Sequence, residues 1–502
     1  MTTDRDEWNV LLEDLAARQR AARKMGGPDK VRRYGSTGRL HTRARIDQFL
    51  DSGSFVELGT LAGTPELPSD AFVAGSGTID GRPVLIGSED FTVAGGSIGT
   101  AGATKRHRIA QLAGQEHLPL VMMLEGAGHR ATNALEAHRP APNDLQAAAD
   151  LAGIVPTAAI VVGPSAGHGA LAAPLSDFVV MVADDGALFT AGPPLVEASL
   201  SERIDKQSLG GPQVHAAVSG VAHRIAASPA EAFSLVRTYL SYFGSNAWQR
   251  PPVRDDAEGP RLLPELLDLI PPNSRRPYDI RPVLDTILDA DSMFEVQPDH
   301  ARSIITTLGR LGGQPVAVVA NQPMVLAGSI DVQAAEKAAR FIEVTSAFHL
   351  PLVLIADNPG VLAGSVSEQA GILRSSARMF AAQHRSGVPK LHLTVRKAFG
   401  FGSSVMGMNA FDAQTVSLTF PGVTLGGIPA GVGGRTAKAS ESTQQALAAN
   451  EASGPWRLAS SVTYDEVIDP REARNALLSG LRLASVRLSE PVQPRQRTGY
   501  LR

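Results

Sequence analysis

Cysteine is absent from the 502-residue chain. This absence excludes disulfide bonds, a cysteine nucleophile and cysteine-ligated zinc. Apolar runs that approach the ~18 residues of a membrane-spanning helix are also missing. The opening residues, MTTDRDEWNV, lack the basic-then-apolar order of a signal peptide. We therefore expect a soluble, cytoplasmic protein that has no membrane partner.

The chain has neither a large excess of one charge nor the common catalytic motifs. Lysine and arginine total 47 against 50 acidic residues, and the net charge of −3 gives no reason to expect nucleic acid or an anionic membrane as partner. The chain has no HExxH motif, no Ser-His-Asp grouping and no spacing that indicates a metal site. Phosphate-loop and dinucleotide patterns are disfavoured. The 49 glycines instead direct attention to the backbone.

The strongest positive signal is an internal repeat. The stretch EHLPLVMMLEGAG (116–128) recurs as FHLPLVLIADNPG (348–360). At an offset of 232, residues 81–128 match 313–360 at sixteen of forty-eight positions. With the offset relaxed to 233, PSAGHGA (164–170) aligns with KAFGFGS (397–403). One register that persists through strand, loop and helix predicts two copies of one domain.

Each copy alternates strand-like and helical patterns, which predicts an α/β fold with loops at the carboxyl ends of buried strands. A stretch rich in proline and charge separates the copies, as is typical of linkers. We predict an N-terminal domain over residues 1–250, a linker over 251–276 and a C-terminal domain over 277–502.

Each copy also carries a glycine-rich bend between a strand and a helix, in GPSAGHGALAAP and RKAFGFGSSVM. The first N–H groups of such a helix have no helical acceptor and, with the helix dipole, favour an oxyanion. Two bends suggest a reaction in which two oxygens become negative. The alternative is that the small residues only permit tight packing of helix on strand.

Five side chains are further candidates. His168, inside the first bend, has the residue type of a general base, but we expect its ring to face solvent while its backbone is used. His117 and His349 precede buried strands and are interpreted as structural. Glu125 and Asp357 end equivalent strands, where either catalysis or capping of the following helix remains open.

Ordered blocks along nearly the whole chain resemble the carboxyltransferase (β) subunit of biotin-dependent acyl-CoA carboxylases of the propionyl-CoA type. In the first half these blocks are GRLHTRARIDQFLDSGSFVEL, EDFTVAGGSIG, GPSAGHGALAAPLSDFVVMV and LGGPQVHAAVSGVAHR. In the second half they are PYDIRPVLDTILDADSMFEV, VANQPMVLAGSID, DNPGVLAGS and VPKLHLTVRKAFGFG. The number and order of the blocks make the resemblance specific.

The resemblance implies two tandem crotonase-like (ClpP/crotonase) domains, the first binding acyl-CoA and the second binding carboxybiotin. It implies backbone oxyanion holes at Gly167 and His168 for the thioester oxygen, and at Phe401 and Gly402 for the biotin ureido oxygen. Family members place the active site between domains of different subunits, usually in a hexamer. Further substrate-binding positions are expected at Gly128, Arg130, Gly169, Ala170, Gly360, Gly400 and Ser404.

The chain departs from the family at several of these positions. His168 and Phe401 each stand where a small residue is usual, and Ser404 replaces an aspartate that shapes the acyl pocket in propionyl-type enzymes. EGAGHR (125–130) stands where the family has Asp-Ser-Gly-Gly-Ala-Arg. These changes suggest that the substrate is a longer or unusual acyl-CoA.

A biotin-attachment motif and room for an ATP-grasp domain are both missing, so the resemblance implies a separate biotinylated α subunit. Two alternatives remain open. One is an acyl-CoA decarboxylase on the same scaffold. The other is a non-catalytic subunit that assembles with an active paralogue in a mixed oligomer.

Overall fold

The computed structural model describes residues 3–135, 142–255 and 257–494. These residues form two compact units, the first extending to Leu240 and the second beginning at Ser241. The predicted linker, 251–276, lies within the second unit. There Leu263 and Leu266 are buried in the hydrophobic core, so this proline-rich segment packs on the domain that follows it.

The first unit combines one sheet with helices that follow most of its strands. The strands of its described residues are β1 (Val56–Leu58), β2 (Phe72–Ile79), β3 (Arg82–Glu89), β4 (Leu120–Gly126), β5 (Thr157–Ala166), β6 (Phe178–Val182), β7 (Ala187–Phe189) and β8 (Arg224–Ala226). The helices are α1 (Asp4–Arg23), α2 (Pro28–Gly35), α3 (Thr42–Phe49), α4 (Thr100–Glu116), α5 (Asp144–Ala149), α6 (Gly167–Ala170), α7 (Ala172–Leu175), α8 (Pro193–Leu200), α9 (Lys206–Gly210) and α10 (Pro229–Leu240).

The second unit repeats this plan. Its strands are β9 (Phe294–Val296), β10 (Ile304–Leu311), β11 (Gln314–Asn321), β12 (Leu352–Asn358), β13 (Lys390–Phe399), β14 (Val416–Thr419), β15 (Thr424–Gly426) and β16 (Glu466–Val467). Its helices are α11 (Leu266–Leu269), α12 (Arg281–Ile287), α13 (Val332–Ala347), α14 (Ser365–Ala370), α15 (Ile372–Arg385), α16 (Gly400–Val405), α17 (Ala430–Thr436), α18 (Glu441–Glu451), α19 (Trp456–Ala459), α20 (Ala473–Leu483) and α21 (Ser485–Ser489). Across the described ranges, no helix is both long and apolar enough to cross a membrane.

The two sheets have the same strand order. The first runs β1-β2-β3-β4-β5-β6-β8, with β7 paired to β5. The second runs β9-β10-β11-β12-β13-β14-β16, with β15 paired to β13. In both sheets the first three strands are antiparallel and the later pairs are parallel. The predicted α/β class and internal duplication are confirmed.

The strand register preserves the sequence offsets. Leu85 pairs with Leu120 in the first sheet, and Ala317 pairs with Leu352 in the second, each 232 residues later. Both sheets also carry an irregularity at the same place, between Leu124 and Gly126 and between Ala356 and Asn358. Since one slipped residue would turn every side chain to the other face, a shared register indicates that the two cores pack alike.

The doubled HLPLV marks the passage from a helix to a buried strand. His117 ends α4 with φ +56°, and His349 follows α13 with φ +65°. The His349 ring is buried and its Nε2 lies 2.7 Å from the carbonyl oxygen of Ala247. The structural interpretation of His349 therefore holds, and His117 has the same left-handed position at the end of its helix.

Two lysines at equivalent positions of the repeat, Lys105 in α4 and Lys337 in α13, are buried and donate hydrogen bonds to backbone carbonyls. Lys337 Nζ donates to the carbonyl oxygens of Gln297, His300 and Ile304 at 2.8, 2.9 and 2.9 Å. Lys105 in the first unit donates in the same way to the carbonyls of Ser69 and Phe72. Burial lowers the pKa of Lys337 to about 7 and the pKa of Lys105 to about 8.

Stability should therefore rise with pH above neutrality. Between about pH 7 and pH 10 the unfolded chain binds a proton at Lys337 that the folded protein has released. The unfolding free energy then increases by up to ~1.4 kcal/mol per pH unit from this group. Urea unfolding across this range should show a steeper increase for the wild type than for Lys337→Met. Equal slopes would contradict the assignment.

Candidate active site

The same strand-to-helix turn is built once in each unit. In the first, β5 ends at Ala166 and α6 begins at Gly167 with φ +56°. In the second, β13 ends at Phe399 and α16 begins at Gly400 with φ +53°. The left-handed φ at the first helical position favours glycine, because a Cβ would be strained there. We call these the first turn (166–170) and the second turn (399–404).

Each turn leaves main-chain N–H groups without an acceptor. The opening residues of a helix lack the carbonyl four residues earlier that would accept from them. In the described part of the chain, no hydrogen bond uses the N–H of His168, Phe401 or Gly402. These donors are therefore available to a ligand oxygen, and the helix dipole favours an oxygen that carries negative charge.

Close backbone contacts hold the turns in place. A Cβ on Gly128 would lie 2.7 Å from the Ala166 carbonyl oxygen, next to the first turn. A Cβ on Gly402 would lie 2.3 Å from Asn358 Oδ1 and 2.7 Å from Gly360 Cα. The structure therefore brings the predicted residues Gly128 and Gly360 against the two turns, and a side chain added at Gly128 or at Gly402 would displace neighbouring atoms.

The His168 ring is not directed to solvent as expected. Its Nε2 lies 2.5 Å from Asp144 Oδ1, and 34% of the side chain is exposed. Asp144 is buried at the start of α5 and also accepts from Arg106 Nε at 2.9 Å. The expectation was wrong because a carboxylate distant in sequence folds next to the turn and binds the imidazole.

Other predicted substrate-binding residues near the first turn are mostly engaged within the protein. Gly169 and Ala170 are buried in α6. The Arg130 guanidinium lies 2.5 Å from Asp70 Oδ1 and donates to the Ser97 carbonyl oxygen at 2.8 Å. These contacts fix the loop that follows β4. Arg130 therefore supports the first turn indirectly, because Gly128 of the same loop packs against Ala166.

The second turn opens on a cavity of about 720 Å³ within the second unit. Gly400 and Ser404 line this cavity, together with the apolar side chains of Leu425, Leu447 and Leu458. Phe401 is 48% exposed, and its ring centroid lies 5.8 Å from that of Phe380. A ligand therefore has room next to this turn, on the side of Gly400 and Ser404.

The paired strand-end acids form buried ion networks. Glu125 Oε2 lies 2.5 Å from an Arg45 guanidinium nitrogen and accepts from Tyr34 Oη at 2.6 Å. Asp357 Oδ2 accepts from Arg396 Nε at 2.7 Å. Both acids are fully buried and neither caps a helix of the described chain, so the capping interpretation is wrong. Their burial also keeps them from contacting a substrate directly.

The residues that sequence reasoning missed supply side-chain contacts over long chain separations. Asp144 reaches His168 from 24 residues away, and Arg45 reaches Glu125 from 80 residues away. The segment NDLQAAAD indicates only a helix start, and Asn143 does cap α5. No local signal in the sequence could identify the partners of either acid.

Comparisons with known proteins agree on one family. The family model of the carboxyl transferase domain matches residues 34–498. A propionyl-CoA carboxylase carboxyltransferase subunit of Haloferax mediterranei is 33% identical, covering 96% of this chain and 97% of the relative. A methylmalonyl-CoA decarboxylase subunit alpha of Veillonella parvula is also 33% identical, covering 96% of each chain.

A solved structure with the same fold extends over the whole chain. The transcarboxylase 12S crystal structure, described as a hexamer with hydrolysed methylmalonyl-coenzyme A bound, superposes with a TM-score of 0.89 at 28% identity. The alignment covers 100% of this chain and 99% of the transcarboxylase chain. The two tandem crotonase-like domains expected from the sequence are thereby confirmed.

Proposed function

Since the chain belongs to the carboxyltransferase subunits of biotin-dependent acyl-CoA carboxylases, we propose that it moves a carboxyl group onto the α-carbon of an acyl-CoA through two backbone oxyanion holes. The observation that carries this proposal is the repeated turn with unpaired N–H groups. A transfer of this kind needs negative charge stabilised on two oxygens, one on each reactant.

The first turn holds the acyl thioester. The N–H groups of Gly167 and His168 donate to the thioester oxygen as the α-carbon loses a proton and the oxygen becomes an enolate. One such preorganised donor contributes ~3 kcal/mol to the transition state. Arg130 and Gly128 keep the adjoining loop in place while charge develops.

The second turn is suited to biotin. Its cavity of about 720 Å³ lies within the range of roughly 300–1,000 Å³ that is usual for ligand pockets, and it is lined by the small residues Gly400 and Ser404. When bound, carboxybiotin supplies the carboxyl group as carbon dioxide and a base for the α-proton. The N–H groups of Phe401 and Gly402 orient the ureido oxygen and stabilise its charge.

A partner must deliver the biotin. We infer a biotinylated α subunit, because the proposed reaction consumes carboxybiotin and a partner must carry it to the second turn. We also infer that the protein forms an oligomer. A hexamer is the first assembly to test, because the transcarboxylase 12S relative is described as one. In such an assembly the acyl-CoA turn of one subunit works with the biotin turn of another.

The direct test combines the purified protein with a biotinylated α subunit, ATP and labelled bicarbonate. We expect acid-stable label on at least one member of an acyl-CoA panel that extends from short to long chains. No labelled product with the α subunit demonstrably bound would contradict the proposal.

A second candidate is decarboxylation on the same scaffold. The Veillonella relative, named as a methylmalonyl-CoA decarboxylase subunit, is as similar as the carboxylase relative. The oxyanion holes would then stabilise the same enolate in the reverse direction. Carbon dioxide release from methylmalonyl-CoA without ATP, together with no ATP-driven carboxylation, would favour this candidate.

A further inference from the structure

Helix α1 of the first unit presents an apolar stripe to solvent. Four apolar residues recur at the spacing of one helix face, and 40–63% of each is exposed: Trp8, Leu11, Leu12 and Leu15. Single exposed apolar residues are ordinary on a protein surface. Four that form one continuous strip, with a tryptophan among them, are typical of an interaction site. This face of α1 is therefore a surface that a partner would cover.

The C-terminal end of the same stripe is packed on the first unit. Gln19 and Ala22 continue the stripe one and two turns beyond Leu15, and Gln19 is half-buried while Ala22 is buried. Residues 4–15, in contrast, are all exposed. The part of the stripe that a partner can reach therefore extends from the start of the helix at Asp4 to Gln19.

Opposite charges are separated along α1. Residues 4–14 contain five acids and one arginine, whereas residues 15–24 contain four basic residues and no acid. Two parallel copies of the helix would bring acids against acids. Antiparallel copies bring the acidic half of each helix against the basic half of the other. The acidic half also disfavours an anionic membrane as the occupant, because helices that lie on such membranes are rich in lysine and arginine.

We propose that α1 pairs antiparallel with α1 of a second copy of this chain. The exposed stripe sets the register, because its centre lies between Leu11 and Leu12. A two-fold axis at this point places Asp4 of one copy opposite Gln19 of the other. Each helix then begins where the stripe of the other copy becomes buried, so the paired length equals the length of the exposed stripe.

The side chains that face each other in this register are complementary. Trp8 of each copy packs on Leu15 of the other, and the leucines at the axis pack on one another, so the whole stripe is covered. Asp4 of each copy lies beside Arg18 and Arg20 of the other, where opposite charges attract. The pairing uses no acyl-CoA, biotin or α subunit and is independent of the proposed function.

Disulfide cross-linking tests the proposal directly, because the wild-type chain has no cysteine. The full-length double variant Asp4→Cys/Gln19→Cys is purified without an α subunit and treated with a mild oxidant. Within one copy the two thiols lie about 22 Å apart along the helix, far beyond the ~7 Å between Cα atoms that a disulfide allows. We expect a disulfide-linked dimer on a non-reducing gel, and no dimer from Asp4→Cys or Gln19→Cys alone.

Matched variants separate specific pairing from random collision. Residues 6 and 17 are related by the same two-fold axis, but they lie on the opposite face of α1 and are both exposed. Asp6→Cys/Ala17→Cys should therefore remain uncross-linked. Adding Leu12→Asp to the first double variant should abolish its dimer band, because two carboxylates would meet at the axis. Thermal unfolding of each variant shows whether the fold is retained.

Three results would overturn the pairing. A dimer from Asp4→Cys alone would show that the helices lie parallel. A double variant at positions 4 and 19 that stays a single chain would show that α1 binds something other than its own copy. Equal cross-linking of the control at positions 6 and 17 would show that no face is preferred. Failure of carboxylation in the wild type bears on the proposed function alone, because cross-linking needs no substrate.

Discussion

Replacing Gly402 by alanine should lower the rate of carboxyl transfer by ~100-fold or more while the protein remains folded. The added methyl group would lie 2.3 Å from Asn358 Oδ1 and 2.7 Å from Gly360 Cα. Asn358 cannot move aside easily, because it is fully buried and its amide donates to Asn321 Oδ1 at 3.1 Å. The second turn must shift instead, and a misplacement of ~1 Å is enough to cost about 100-fold in rate.

The measurement is kcat for the α-subunit-dependent carboxylation assay, with thermal unfolding as a check on the fold. Gly422→Ala is the matched control, because a Cβ there meets no atom within 4 Å. The control should keep the wild-type rate. A Gly402→Ala protein with a rate within about threefold of wild type would show that the second turn does not hold a reacting group.

Removing the carboxylate of Asp357 should destabilise the protein by ~3 kcal/mol. Its partner Arg396 is buried and would lose the charge that it faces at 2.7 Å, although it keeps carbonyl acceptors at Pro271, Asn273 and Arg276. Breaking a buried ion pair by deleting one partner usually costs 3–5 kcal/mol, because the remaining charge is desolvated and unpaired.

Urea unfolding of Asp357→Ala against the wild type measures this cost. The exposed ion pair between Glu197 and Arg203 provides the control, and Glu197→Ala should leave the urea midpoint almost unchanged. If both variants unfold at the wild-type midpoint, the buried pair does not stabilise the second unit.

The duplication made most of the fold predictable. A repeat at an offset of 232 fixes which strands correspond. The pairing of Leu85 with Leu120 in the first sheet is repeated by the pairing of Ala317 with Leu352 in the second. The two turns were also predictable, because the glycines at 167 and 400 follow from a local need for a left-handed φ. Features that depend on local backbone geometry and on repetition are visible in a sequence.

What escaped prediction depends on contacts between residues that are distant in the chain. The repeat has no counterpart to the pairing of His168 with Asp144, since Phe401 takes the equivalent position in the second turn. The prediction placed the end of the first domain at residue 250 from composition alone. Composition also does not indicate that Leu263 is buried, since a proline-rich segment can still place leucines in a core.

A structure of the protein with an acyl-CoA and biotin bound would test the central claim most directly. We predict the thioester oxygen at about 2.7–3.1 Å from the main-chain nitrogens of Gly167 and His168. The ureido oxygen should lie equally close to the nitrogens of Phe401 and Gly402. Ligand oxygens that are held by side chains instead, or that bind away from both turns, would contradict the account.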